Sequence, residues 1–222
     1  MFVHDFMTRD PITVTPEVSH PDALALMRKH RIRRLPVISK GKLVGIVSEK
    51  DLLSNQPSQA TTLSVYEIYS LLSRLHMQDI MVRPVMTVEG DCPMEEAACI
   101  MVARKIGCLP VMEGDRIVGI ITETDVFRAL VEVLGGKESG HRAVVRLPER
   151  VGEVARVTAE IAAEGGNIVA ITSSQVLEGR YREATIKVTG ISPDAFRSLL
   201  EKHNVEVVDL RSMTAYEPKL CG

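Results

Sequence analysis

Apolar and polar positions fall into blocks, and the blocks recur. The first block reads as a brief strand over 12–15, then a helix over 21–30 with Ala23 and Met27 four apart on one side. An apolar strand over 34–39, a turn at Lys40-Gly41 and a strand over 43–48 follow as a hairpin, and a helix opens at Glu49. Ser19 and Asp22 stand at capping-box spacing ahead of the first helix. The order returns 74 residues later without a gap: helix 95–104, strand 108–113, turn Gly114-Asp115, strand 117–122 and a helix from Glu123. Sixteen of the 47 paired positions between 5–51 and 79–125 are identical, where composition alone would give about three. A unit of about 55 residues is too small to bury a comfortable core alone. Each copy is therefore expected to supply what the other lacks, with a cleft between them for a ligand.

Between the copies the stretch Ser54-Asn55-Gln56-Pro57-Ser58 is rich in turn formers. Ser64 and Glu67 then give another capping box, and Val65, Ile68, Leu72 and Leu75 follow at helical spacing. This added helix is expected either to extend a domain core or to pack on a partner. The segment 135–140 (Gly-Gly-Lys-Glu-Ser-Gly) reads as a linker. Beyond it the rhythm changes. A strand over 141–147 leads to a helix over 151–164, with Val151, Val154, Val157 and Ile161 on one side and Gly165-Gly166 at its end. Strands over 167–173 and 181–188 follow. A helix opened by Ser192-Pro193 buries Phe196, Leu199 and Leu200, and a last strand runs over 205–211. This β-α-β-β-α-β order is the split βαβ of ferredoxin-like folds.

Composition narrows the function classes. With 45% hydrophobic and 25% charged residues the chain is an ordinary globular one, and its net charge of −2 gives no general pull toward nucleic acid or anionic membrane. No apolar run approaches the roughly 20 residues of a membrane span. Asp5 and Asp10 interrupt the place of a signal sequence. Cys92, Cys99, Cys108 and Cys221 show no close pairing, so a reduced, cytoplasmic setting is expected.

The candidate chemistry lies in the repeat. Ser48 ends a strand with Asp51 one turn into the next helix, and Thr122 and Asp125 repeat the arrangement. A hydroxyl and a carboxylate at a helix start can surround free N–H groups that receive an anion, and the carboxylate can hold a ribose diol. The same spacing also serves a capping box that satisfies only the helix's own donors. Gly45 and Gly119 would let backbone approach a ligand. The basic run Arg28-Lys29-His30-Arg31-Ile32-Arg33-Arg34 begins where cations suit a helix end. Arg33 and Arg34 lie beyond the helix, where their planar forks could reach a phosphate. The second copy has Gly107-Cys108 there, so the two clefts should differ in charge. The six His residues are scattered, no metal-ligand spacing appears, and no nucleophile elbow or Walker loop is present.

The repeat resembles the CBS domain, which occurs as tandem pairs. The resemblance rests on Asp5-Phe6-Met7 and Asp79-Ile80-Met81, on the two Leu-Pro-Val strands and on the two G-x-x-[S/T]-x-x-D segments. It implies a disc-like module whose clefts bind adenosine-containing ligands. Ser48, Asp51, Thr122 and Asp125 would contact phosphate and ribose. Thr13-Val14 and Thr87-Val88, with Pro36-Val37 and Pro110-Val111, would pack around adenine, and Arg33 and Arg34 would contact phosphates. Residues 141–213 look like an ACT domain, on the β-α-β-β-α-β order plus the turn 148–154 and Gly165-Gly166-Asn167-Ile168. That implies an amino-acid site at Arg150, Val151, Gly152, Asn167 and Ile168, although the usual Pro-Gly pair of the turn is absent. The succession CBS-CBS-ACT, with the insert Ala60-Thr61-Thr62-Leu63-Ser64, is similar to the bacterial acetoin-utilization protein family.

The expected fold is α/β (α+β), a tandem CBS pair plus a ferredoxin-like ACT domain. Its expected segments are CBS 1 over 1–58, a helical insert over 59–76, CBS 2 over 77–135, a linker over 136–140, the ACT domain over 141–214 and a tail over 215–222. The expected function is regulatory, not enzymatic, with no catalytic residues, no metal and no cofactor beyond an adenine nucleotide as regulatory ligand. A homodimer and a regulated partner protein are also expected. Two rival readings stand beside it: an enzyme of acetoin breakdown, and a nucleic-acid-binding regulator using the 28–34 run.

Overall fold

The long helix ahead of each hairpin ends in the same way, and that ending shapes the fold. α2 (His20–His30) is capped by Ser19, whose hydroxyl accepts from Asp22 N, and it buries Ala23, Leu24 and Met27. It stops at Arg31, which turns left-handed at φ 54° while Ile32 N reaches back to Met27 O. In the second repeat α6 (Met94–Arg104) stops at Lys105, φ 55°, and Ile106 N reaches Met101 O. Each reversal sends the chain into a hairpin: β2 (Arg34–Ser39) with β3 (Lys42–Ser48), and β5 (Cys108–Glu113) with β6 (Arg116–Thr122). Lys40 and Gly41 both have positive φ, as the tight two-residue connection between β2 and β3 requires. Helices α3 (Glu49–Ser54) and α7 (Glu123–Val133) leave the hairpins.

The structure, a computed structural model, describes residues 1–57, 62–177 and 180–216. Ser58, the start of the insert including Ala60 and Thr61, and Cys221 lie outside the described residues. The chain divides into two compact units, Met1–Val126 and Phe127–Gly222.

In the first unit the repeats exchange their leading segments. α1 (Val3–Phe6) docks on the second repeat through Val3 N to Cys92 O and His4 N to Gly90 O. α5 (Met77–Ile80) docks on the first through Met77 N to Val18 O and Gln78 N to Pro16 O. These contacts are the same pairs displaced by the repeat offset. β1 (Thr8–Arg9) then pairs antiparallel with β6, extending one sheet to the order β1-β6-β5-β4, where β4 is Val88–Glu89. On the other side Val82 bridges Ile46 of β3. Gly45 and Gly119 sit under these crossings. A Cβ on Gly45 would strike the Met81 side chain, and one on Gly119 would strike Met7. The two glycines therefore admit a methionine of the opposite repeat, which corrects the expectation that they admit a ligand.

Two further expectations change. The strand over 12–15 reduces to a bridge of Val14 to Val37, with Val14 N donating to Pro36 O and Ile38 N donating to Val14 O. The inserted helix forms as α4 (Val65–Leu72), capped by Ser64 and Glu67, but it buries no residue. Of its stripe Val65 is 80% exposed while Ile68, Leu72 and Leu75 are half-buried, so the helix lies at the margin of the core.

The second unit has the order β7 (Gly140–Pro148), α8 (Glu153–Ala163), β8 (Asn167–Leu177), β9 (Tyr181–Thr189), α9 (Pro193–Lys202) and β10 (Glu206–Met213). Its antiparallel sheet runs β10-β7-β9-β8, the ferredoxin-like arrangement. Alternate residues Ala143, Val145 and Leu147 of β7 and Ala184, Ile186 and Val188 of β9 join Val157, Ile161, Phe196 and Leu200 in one core. Val151 and Val154, expected on the buried side of α8, are exposed; the helix begins only at Glu153. On the other face Lys187 is buried, and its Nζ donates to Gly135 O at 2.6 Å and Glu138 O at 2.5 Å.

Candidate functional site

A cavity of about 810 Å³ opens in the first unit, inside the roughly 300–1,000 Å³ range of small-molecule sites. β3 and α3 of the first repeat give it Ile46, Ser48, Lys50 and Asp51. The second repeat gives it Val82, Pro84, Val85 and Met86 from the crossing segment, and Lys105, Ile106, Gly107, Cys108 and Pro110. A smaller cavity of about 270 Å³ inverts the recipe. Here Ile120, Thr122 and Thr124 come from the second repeat, while Thr8, Asp10, Pro11, Ile12, Arg31, Ile32, Arg33 and Arg34 come from the first. Each cleft therefore joins the hairpin end of one repeat to the crossing segment and helix exit of the other. The left-handed residues Arg31 and Lys105 sit where the helix C-terminus favours a cation, and the reversal brings each to the rim of a cavity.

The serine and threonine positions are engaged in capping. Ser48 N and Oγ both donate to Asp51 Oδ2, at 2.8 and 2.6 Å, and Asp51 N donates back to Ser48 Oγ at 3.2 Å. Thr122 N and Oγ1 donate to Asp125 Oδ2 at 2.9 and 2.7 Å. Glu49 N donates to Arg33 O and Glu123 N to Gly107 O. The idea of free helix-start N–H groups thus needs correction, because the chain itself occupies Glu49 N, Asp51 N and Glu123 N. What the box provides is a fixed orientation: it holds Asp51 rigidly on the wall of the large cavity.

The predicted residues separate by place. Ser48, Asp51, Arg33, Arg34 and Pro110 meet at the large cavity; Thr122, Arg33 and Arg34 meet at the small one. Thr13 and Val14 line a different, open concavity with Lys40 and Gly41. Val14 also spends its backbone groups on Pro36 and Ile38, so this pair is not brought to Ser48 and Asp51. Val37 and Val111 are fully buried, and Pro36, Val88 and Asp125 are buried as well. Thr87 is exposed and lines none of these cavities. Arg28, Lys29 and His30 remain exposed on the last turn of α2, whereas Arg33 and Arg34 border the cavities. Sequence reasoning missed Val82, Pro84, Val85, Met86, Lys105 and Ile106, which no motif marks; the repeat relates them to 8–12 and 31–32 of the small cavity only once the crossing is seen.

Electrostatics favour an anion in the large cavity. Arg33, Arg34, Lys50 and Lys105 line it with Glu49 and Asp51, four cations against two carboxylates, and Glu123 stands behind Arg34 at Gly107. Apolar walls come from Ile46, Val82, Val85, Met86 and Ile106. Burial pushes the Cys108 thiol up to about 11, against the pull of the neighbouring Arg34, so it lines the cavity as a neutral group.

In the second unit one chain does not assemble the five expected residues. Arg150, Val151 and Gly152 follow Pro148, which pairs with Tyr181, while Asn167 pairs with Thr189 and Ile168 with Val188. The two groups stand at opposite ends of β9, about 25 Å apart at strand rise. Gly152 is left-handed at φ 89°, and Arg150 donates to Glu153, which also accepts from Arg156. These bonds hold the Glu153 carboxyl below the usual carboxylate range, the Arg156 bond having the largest effect. Among the described residues no cluster of His, Cys, Asp and Glu could hold a metal, and no helix is long and apolar enough to cross a membrane.

Comparison with known proteins agrees with this geometry. The CBS domain family model matches residues 3–58 and 77–132, half of the chain. The uncharacterized protein MJ1225 of Methanocaldococcus jannaschii is 38% identical over 132 residues, covering 57% of this chain and 46% of that protein. The chain thus spans about half the length of that relative. A crystal structure of CBSX2 in complex with AMP is 30% identical, with a TM-score of 0.51, covering 60% of this chain and 97% of the other. A putative acetoin utilization protein (AcuB) from Vibrio cholerae is 35% identical, with a TM-score of 0.49, over 59% of this chain and 90% of the other. The exchanged repeats and their paired clefts are those of a tandem pair, and the chain belongs to the CBS domain family.

Proposed function

We propose that this chain is a non-enzymatic regulatory protein that senses an adenine nucleotide, AMP, ADP, ATP or a related adenosyl compound, in the large cavity. The observation that carries the reading is the lining. Aliphatic walls suit a flat base, and a lining with four cations against two carboxylates, still positive when the neighbouring Glu123 is counted, suits a phosphate. Asp51, locked by Ser48, would accept from a ribose diol. The AMP complex of CBSX2 supports the same ligand class. Regulation would follow from linkage: the nucleotide favours whichever arrangement of the pair binds it better, and a partner protein reads the change.

The ferredoxin-like unit, which resembles an ACT domain, is the second sensor in this reading. Since one chain leaves Arg150, Val151 and Gly152 far from Asn167 and Ile168, an amino-acid site there would need a second copy, in keeping with a homodimer. The link to acetoin or small-carbon metabolism rests on the succession of domains alone.

The experiment is a thermal-shift panel of AMP, ADP, ATP, S-adenosylmethionine, NAD and amino acids. An adenosyl ligand at about 100 times its Kd stabilises the protein by about 2.7 kcal/mol, so the midpoint should rise with dose. Asp51→Ala should weaken the response more than Asp125→Ala, because Asp51 lines the large cavity and Asp125 lines neither. No response to any adenosyl compound, or equal loss from both variants, would count against the reading.

A further inference from the structure

Arg33 and Arg34 border both cavities. The repeat assigns each cavity its own basic segment, 31–34 to the small one and 105–108 to the large one. The large cavity's own segment carries Gly107 and Cys108 in place of the arginine pair. Arg34 nevertheless reaches it, and the reason lies at Gly107. A Cβ at that position would collide with Arg34 Nη2 and stand 2.8 Å from Glu123 Oε2. The Gly107 backbone is not left-handed, so conformation does not demand glycine there. Space does. The guanidinium occupies the volume that any other residue at 107 would fill. Arg34 is also the register partner of Ser48 on its own hairpin, which fixes its stem beside the Ser48–Asp51 wall. The same placement sets the Arg34 charge beside Cys108, where it opposes the rise that burial gives the thiol.

We propose that Gly107 is a specificity-determining position of the large cavity: its missing side chain admits Arg34 from the other repeat and makes that guanidinium the anchor for a phosphate. The cavity then discriminates phosphate-bearing from phosphate-free adenosyl ligands by a residue borrowed across the repeat. Gly107 is a positioning residue and Arg34 the contact. The proposal rests on the nucleotide reading above and adds to it the origin of the phosphate preference.

Titration calorimetry on the full chain with AMP and with adenosine tests it. A charge-assisted hydrogen bond of Arg34 to phosphate gives the wild type a preference for AMP on the order of tenfold. Gly107→Ala presses on the flexible ends of Arg34 and Glu123, so AMP affinity falls about fivefold or more while adenosine stays within about twofold. Arg34→Ala gives the same selective loss, and the double variant loses no more than either single one. An unchanged AMP-to-adenosine ratio in Gly107→Ala, or a double-variant loss equal to the product of the single losses, overturns the proposal. Should Gly107→Ala fail to fold, Arg34→Ala still decides: undiminished AMP preference overturns it. A wild type that binds adenosine and AMP equally overturns this proposal and leaves the nucleotide reading standing. A wild type that binds neither removes both.

Discussion

Gly45→Ala tests the exchange between repeats at its tightest point. The Gly45 backbone is not left-handed, so alanine meets no conformational penalty. The cost is steric. The new Cβ would overlap Met81 Sδ and Cγ and lie 2.9 Å from Met81 Cβ. The root of a side chain moves only with its backbone, and the Met81 backbone is tied on both sides. Met81 N donates to Met77 O at 2.8 Å, and Val82 N donates to Ile46 O at 2.9 Å. Overpacking of this kind costs about 1–3 kcal/mol, and the fixed root puts Gly45→Ala near the top of that range. Gly119→Ala is the internal control. Its Cβ would meet Met7 at Sδ, at Cγ 3.1 Å away and at Cε 3.2 Å away, all beyond the root of a flexible chain, so the cost should be about 1 kcal/mol. Urea denaturation should rank wild type above Gly119→Ala above Gly45→Ala. Adding Met81→Ala to Gly45→Ala should recover part of the loss, with a coupling energy of about 1–2 kcal/mol. Equal costs at the two glycines, or a Gly45→Ala cost indifferent to Met81, would refute the exchange as described.

Three further outcomes are expected. At pH 8 an alkylating reagent should modify exposed Cys99 quickly and Cys108 slowly, since burial pushes the Cys108 thiol up to about 11, and mass mapping that finds Cys108 the faster site would contradict its placement. Glu153, held low chiefly by Arg156, contributes stability that is present above the ordinary carboxylate range and is lost as pH falls through its lowered value; Glu153→Gln should therefore flatten the fall in melting temperature on acidification, and an unchanged slope would count against the bonds. Lys187→Met should lower stability by about 2–3 kcal/mol in urea, because the carbonyls of Gly135 and Glu138 lose a charged donor; a change within about 0.5 kcal/mol would mean that other donors replace it.

Much of the architecture was legible because its causes are local. The caps at Ser19, Ser48, Ser64 and Ser192, the Lys40-Gly41 turn and the strand limits at Arg34, Ser39, Cys108 and Glu113 all appear as expected. The β-α-β-β-α-β order of the second unit was legible for the same reason. Errors arose where a local signal has two outcomes. Val154 has the right spacing for a buried helix face, yet only Val157 and Ile161 reach the sheet. The α4 stripe has the spacing of a core helix, yet only Ile68, Leu72 and Leu75 become half-buried and Val65 stays exposed.

By itself the sequence determined that two copies of one unit must combine, that each carries a capped hairpin exit with a serine or threonine and an aspartate, and that only the first carries the arginine pair. Only the tertiary structure decided how the copies share these parts. The crossing of 1–12 and 77–86 joins Ser48 and Asp51 to Val82, Met86 and Lys105, and lets Arg34 enter the space beside Gly107. The physical reason is that capping, turns and periodicity depend on neighbours along the chain. The make-up of a cleft depends instead on which sheet edge a segment joins and on volumes, such as the absent Cβ of Gly107, that belong to residues 70 or more positions away.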